Sequence, residues 1–173
     1  VQRPSVCNAL DTVLVHSAVA GAFLPKIATL MGQAGVELRC DARALSIIGE
    51  NGDGPVVRAT SDDYGQEFLA LVASVKVVDS LEDALSHIET YGSGHSEAIV
   101  TENYATATRF TDEVDASAVF VNASTRLNDG GEFGLGAEVA ISTNKMHARG
   151  PMGLEELTSY KWIALGSGQI KEG

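Results

Sequence analysis

Residues 74–92 read SVKVVDSLEDALSHIETYG, and this stretch decides the fold. Its first six residues are a short valine-rich run bounded by polar residues, the pattern of a strand. From Leu81 the period changes: Leu81, Ala84, Leu85 and Ile88 follow i, i+3, i+4, i+7, one face of a helix. Ser80 with Asp83 resembles a capping box, with Asp in place of Glu or Gln, and Gly92 stands where a helix stops. A strand that passes directly into an amphipathic helix is half of a crossover between parallel strands.

The same alternation recurs outward in both directions. TVLVH (12–16), VELRC (36–40), VVRAT (56–60), EAIVT (97–101) and AVFVNA (118–123) read as further strands. FLPKIATLMGQAG (23–35), ended by Gly35, and NYATATRFTDEV (103–114), opened by Asn103, read as helices. The expected class is α/β, a largely parallel, twisted sheet with flanking helices. The 173 residues suit a single domain with one core. Residues 1–160 are expected to form it, with 161–173 as a tail able to pair as an edge strand.

Charge excludes one class of partner. The net charge is −11, and residues 59–138 hold fifteen acids and three bases. Such a surface repels a phosphate backbone, so nucleic-acid binding is not expected. From Val139 to Leu154 there is no acid, while Lys145, His147 and Arg149 fall close together. VLVHSAVAGAFL is too short and too broken to span a bilayer. Two cysteines do not make a disulfide scaffold, no CxxC occurs, and the four histidines lack ligand spacing, so neither disulfides nor zinc are expected. The cytoplasm is the expected compartment. The chain begins with Val rather than Met, as a piece of a longer protein would.

Three stretches carry the candidate chemistry. Cys40 ends an apolar strand and reads as a buried, inert thiol. Cys7 follows Pro4 and precedes NALD, where a short helix is expected. Free N–H groups at such a helix start would stabilise a thiolate and an oxyanion. A small buried hydrophobe is the equal rival reading. GLGAEV (134–139) begins like a dinucleotide fingerprint but has Val139 in place of the third glycine and follows a loop, NDGGEFGLG (128–136), rather than a strand. Residues 122–154 gather Asn, Ser, Thr, Arg, Lys and His around glycine-rich turns, donors that suit a small anion or else form a polar surface.

RPSVCNALDTVLVH (3–16), VDSLEDALSHIETYGSGHSEAI (78–99) and the long segment from Val121 to Trp162 together resemble the gamma-glutamyl phosphate reductase family of the aldehyde dehydrogenase superfamily. Leu127 and Met152 stand where that family would lead one to expect an aromatic and a valine. The resemblance implies that Cys7 is a nucleophile. Its thiolate would attack L-glutamyl 5-phosphate, and NADPH would reduce the resulting thioester to L-glutamate 5-semialdehyde, in proline biosynthesis. It implies that Glu67 contacts the nicotinamide ribose, with an exposed carboxylate as the rival reading. Asn122, Ser124, Thr125, Arg126 and Arg149 are implied substrate contacts, with salt bridges as the rival reading for both arginines. His95 reads as a turn or interface residue.

The nucleotide-binding half that precedes the cysteine in this family is expected to lie outside these residues and to hold most of the NADPH. The isolated chain is therefore expected to fold without catalysing reduction. Homo-oligomerisation through the tail and coupling to glutamate 5-kinase are implied as well. Competing functions are a non-catalytic folding or oligomerisation module and a cofactor-free cysteine hydrolase.

Overall fold

The computed structural model describes residues 1–49 and 54–173. The elements run β1 (Thr12–His16), α1 (Ser17–Gln33), β2 (Glu37–Cys40), α2 (Ala42–Ile48), β3 (Val56–Arg58), β4 (Val72–Val78), α3 (Leu81–Tyr91), β5 (Ser96–Ile99), α4 (Tyr104–Glu113), β6 (Ala118–Val121), β7 (Ala140–Ser142) and β8 (Gly150–Met152). Short 3₁₀ turns lie at Ser61–Gly65, Thr125–Leu127 and Glu155–Leu157.

The α/β class holds, and all six expected strands pair in parallel. The strands fall into three sheets. β1, β4, β2 and β3 make one four-stranded sheet in that order, β5 pairs only with β6, and β7 and β8 form an antiparallel pair that the sequence reading missed. Val75 sits at the centre, in register with Val13 on one side and Cys40 on the other.

One face of the large sheet is apolar. Val15, Leu38, Cys40, Ala73, Val75 and Val77 pack against Ala20, Leu24 and Ala28 of α1 and Ala44 of α2. α1 begins at Ser17, six residues before the expected start at Phe23. His16 caps it, its Nδ1 accepting from the Ala18 N–H at 3.1 Å, and Pro25 is accommodated inside the helix. Pro25 lacks a donor for the Gly21 carbonyl and therefore reads as a first-turn residue. α2 was also missed, although Asp41 caps the Ala44 N–H at 2.7 Å and Gly49, at φ 78°, ends it.

The opposite face is polar and aromatic. Ser74, fully buried, donates to the Asp63 carbonyl at 3.2 Å, and Asp63 pairs with Arg39 at 2.6 Å. Lys76 Nζ donates to His87 Nδ1 at 3.2 Å, and the His87 ring meets Tyr64 edge-on at 5.0 Å. Burial, with Lys76 adding to it, pushes the His87 pKa down to about 4. α3 and α4 are capped as expected, by Ser80 on Asp83 and Asn103 on Thr106.

No helix among the described residues is long and apolar enough to cross a membrane. Residues 158–173 form no helix or strand within this chain, and Tyr160, Trp162, Ile163 and Leu165 are exposed.

Candidate functional site

The segment ahead of β1 forms turns, and the short helix expected after Cys7 is absent. The Ala9 N–H donates to the Val6 carbonyl at 3.0 Å, so Cys7 and Asn8 occupy the middle of a tight turn. Their fates are opposite: Cys7 is exposed, while Asn8 is 6% exposed. The Asn8 carboxamide donates to the Asn128 carbonyl at 3.1 Å and to the Arg126 carbonyl at 3.4 Å. Its oxygen accepts from Arg126 Nη1, and the Thr125 hydroxyl donates to the Asn8 backbone oxygen at 2.9 Å. The cysteine turn is thus fastened to the 125–128 turn, more than a hundred residues along the chain.

Glu67 arrives from a third segment. The Phe68 N–H donates to Asp11 Oδ1 at 3.2 Å, and Arg39 lies 5.0 Å above the Phe68 ring. This anchors the residue next to Glu67. Glu138 arrives from a fourth, where it folds the glycine loop by accepting the Gly130 N–H at 2.7 Å. Gly130 is required there, because a Cβ would lie 2.6 Å from the Ala137 carbonyl oxygen.

These groups set the field at Cys7. Partial burial raises its pKa and its own backbone N–H opposes the rise; Glu138 and Glu67 raise it further, and Arg126 lowers it. The thiolate stabilisation expected from a helix start is therefore not present. Arg126 is the side chain that supplies favourable charge. Cys40, in the core, is pushed up to about 11 by burial.

The remaining expected residues divide by what their polar atoms already do. Asn122, at φ 54°, both accepts from the Thr101 N–H and donates to the Thr101 carbonyl at 2.8 Å, tying the ends of β5 and β6 together. Arg149 pairs with Asp115 at 2.6 Å, which also takes Lys145, so one carboxylate from outside the acid-free window faces two of its cations. Thr125 is spent on Asn8. Ser124 accepts the Arg126 N–H at 3.2 Å, leaving its hydroxyl proton uncommitted on an exposed turn.

Sequence reasoning passed over Asn8, Asn128 and Glu138. Asn128 is 1% exposed and donates to Ser96 Oγ at 2.8 Å, and that hydroxyl also contacts His95 Nδ1 at 2.7 Å. Three buried polar atoms without partners lie among these residues, Asn128 Oδ1, Arg126 Nε and His95 Nε2, and two more are His87 Nε2 and Arg149 Nε. Such atoms are uncommon and mark places where a ligand, water or further protein completes the bonding. Glu97, on the strand that carries Ser96, is pushed up to about 7 by burial.

The glycine loop is not built to cradle phosphate, since a carboxylate already occupies the Gly130 N–H that a phosphate would need. Among the described residues no group of three or more metal-ligating side chains occurs.

Residues 56–163 match the model of the aldehyde dehydrogenase family. The gamma-glutamyl phosphate reductase of Dehalococcoides mccartyi is 63% identical over 171 residues, covering 99% of this chain and 40% of that protein. The one from Chloroflexus aurantiacus is 60% identical over 172 residues, covering 96% and 40%. The crystal structure of gamma-glutamyl phosphate reductase from Thermotoga maritima superposes with a TM-score of 0.91 at 48% identity, over 99% of this chain and 40% of that one. An acetylating aldehyde dehydrogenase from Geobacillus thermoglucosidasius shares the fold at a TM-score of 0.65 and 13% identity, over 99% and 46%. The chain spans about 40% of the length of the curated relatives it matches. With a thiol exposed on a built turn, two acids and an arginine in its field, and the family model covering most of its length, this chain belongs to the aldehyde dehydrogenase family.

Proposed function

We propose that this chain is the acyl-accepting portion of an NADPH-dependent reductase that converts L-glutamyl 5-phosphate to L-glutamate 5-semialdehyde in proline biosynthesis. The observation that carries the reading is the Cys7 turn: an exposed thiol beside a buried, fully bonded neighbour, with Arg126 as its counter-charge. Relatives of the stated identity bear the matching name.

In this reading the Cys7 thiolate attacks the acyl carbon, and the carbon–oxygen bond to phosphate breaks. Phosphate leaves with the electron pair, and a thioester remains on Cys7. A nicotinamide, when bound, would supply hydride to that acyl carbon; Cys7 would then leave as the thiolate as the aldehyde is released. Covalent capture suits an acyl phosphate, which otherwise hydrolyses in water, and a thioester accepts hydride more readily than an oxygen ester.

Arg126 opposes the two acids at the thiolate in part, and Ser124 offers an exposed hydroxyl to the substrate's anionic end. Glu67 is assigned to a ribose hydroxyl of the cofactor, most of which is held by protein outside these residues. Asn122, Thr125 and Arg149 are assigned to holding the site, because they bond to Thr101, Asn8 and Asp115, with Arg149 Nε left without a partner. Two unpaired cysteines suit a reducing cytoplasm. The apolar tail is assigned to pairing with a second copy, and glutamate 5-kinase is the natural supplier of so short-lived a substrate.

Cys7→Ala in the full-length enzyme tests the reading. Reductase turnover should fall by about a thousandfold or more, since removing a nucleophile leaves only binding and positioning. Turnover within tenfold of the unaltered enzyme would overturn it. Phosphate release at an unchanged rate without NADPH would favour a hydrolase instead.

A further inference from the structure

We propose that Asn8 is a positioning residue, which holds the Cys7 turn against the 125–128 turn so that Arg126 stands beside the thiol. The inference rests on the reading of Cys7 as the nucleophile. Asn8 is the residue in this turn whose side chain leaves solvent, and it does so with both ends of the carboxamide in use. Its oxygen receives the Arg126 guanidinium, and its nitrogen reaches the carbonyls of Asn128 and Arg126. One group therefore fixes the arginine at its head and at its backbone.

The anchor is itself fastened. Asn128 is held through its side-chain nitrogen by Ser96, which opens β5, so the Cys7 turn is tied through two side chains to a strand. Chemistry makes the choice of Asn specific. Asp offers no donor, so the two carbonyls would lose their partner, and it would add a third acid near a thiol that already faces Glu67 and Glu138. An apolar residue would leave the Arg126 head without its acceptor in a partly buried place. The charged groups that face Cys7 are Glu138, Glu67 and Arg126, with the Cys7 backbone N–H as the local dipole. Burial, Glu138 and Glu67 already raise the thiol; if Arg126 swings away, no side chain opposes them and the thiol holds its proton to still higher pH.

The test uses this chain and needs no cofactor. Cys7 and Cys40 are alkylated with iodoacetamide across the neutral and alkaline range, and labelling is read peptide by peptide by mass spectrometry. Asn8→Ala should move the labelling midpoint of Cys7 to higher pH and lower its rate near neutrality about three- to tenfold, as loss of one nearby positive charge does. Asn8→Asp should move it at least as far. Ser80→Ala, which removes a cap on α3, should lower the melting temperature and leave the Cys7 midpoint in place.

Unfolding of Asn8→Ala would reveal itself by labelling of Cys40. In that event Arg126→Gln gives the same reading from the other side of the bond, and its midpoint should rise likewise. Unchanged midpoints would overturn the positioning role while leaving the nucleophile reading intact. A Cys7 inert in the unaltered chain would overturn both.

Discussion

Cys40 and Cys7 show two ways of holding a thiol. Cys40 is fully buried in β2, in register with Arg58 of β3 and Val75 of β4, and packs in the apolar layer under α1 and α2. Backbone ladders and non-directional burial fix it, and both tolerate many apolar sequences. Cys7 is held instead by side-chain bonds from Asn8, Thr125 and Arg126, each of which depends on one atom of one residue. The difference teaches where the molecule stores stability and where it stores chemistry. The sheet is redundant, whereas the turn cluster is not and leaves buried polar atoms for something else to satisfy.

The contrast can be broken first at its stable end. Leu24→Ala removes a fully buried side chain from the layer over Cys40 and should cost about 2–5 kcal/mol in denaturant unfolding. A cost below that of the site variants would mean that the core is not where stability lies.

The next effect is one of pH. His87 takes its proton near 6.5 when unfolded but only at about 4 when folded. The unfolded state therefore binds more protons in that window, and stability should fall as pH drops through it, by about 2–3 kcal/mol at most. His87→Leu should flatten this slope. Glu97 runs the other way: its folded carboxyl keeps its proton to about 7, above the 4.5 of a free glutamate. Its contribution is fully present below 4.5 and is lost as pH rises through 7, so Glu97→Gln should raise stability most on the alkaline side. Urea midpoints across pH for both variants check the two signs.

Smaller still is Asn122→Ala, which loses two bonds to Thr101 and places Ala at φ 54°. It should cost about 1–2 kcal/mol in denaturant unfolding. Ser124→Ala should lie within about 0.5 kcal/mol of the unaltered chain while weakening substrate binding in the full-length enzyme. A large loss of stability there would turn a contact residue into a structural one.

What was legible in the sequence follows the same division. Strands read well because valine runs and helix caps are local: β4 with α3, and α4 behind Asn103, lie where period and cap place them. α1 and α2 were misread where local signals conflicted, at Pro25 and in a seven-residue helix too short to show a period. β7 and β8 span three residues each, one of them Pro151, and their pairing is not a local property. At the site, Cys7 was legible by its chemistry. Asn8 was not, since beside a proline-led turn it reads as a turn former and its partners lie 118 and 120 residues away. Asp115, the partner of Arg149, lies 34 residues away and was not legible as such in the sequence.

The most direct test of the account is acyl transfer to this chain from a simple acyl phosphate. Acetyl phosphate is added under native conditions, released phosphate is measured, and the acyl group is mapped by mass spectrometry. The account predicts an acyl group on Cys7, removable by hydroxylamine and matched by released phosphate, with Cys40 unmodified. A Cys7 that remains a free thiol, or a Cys40 acylated to the same extent, would contradict it.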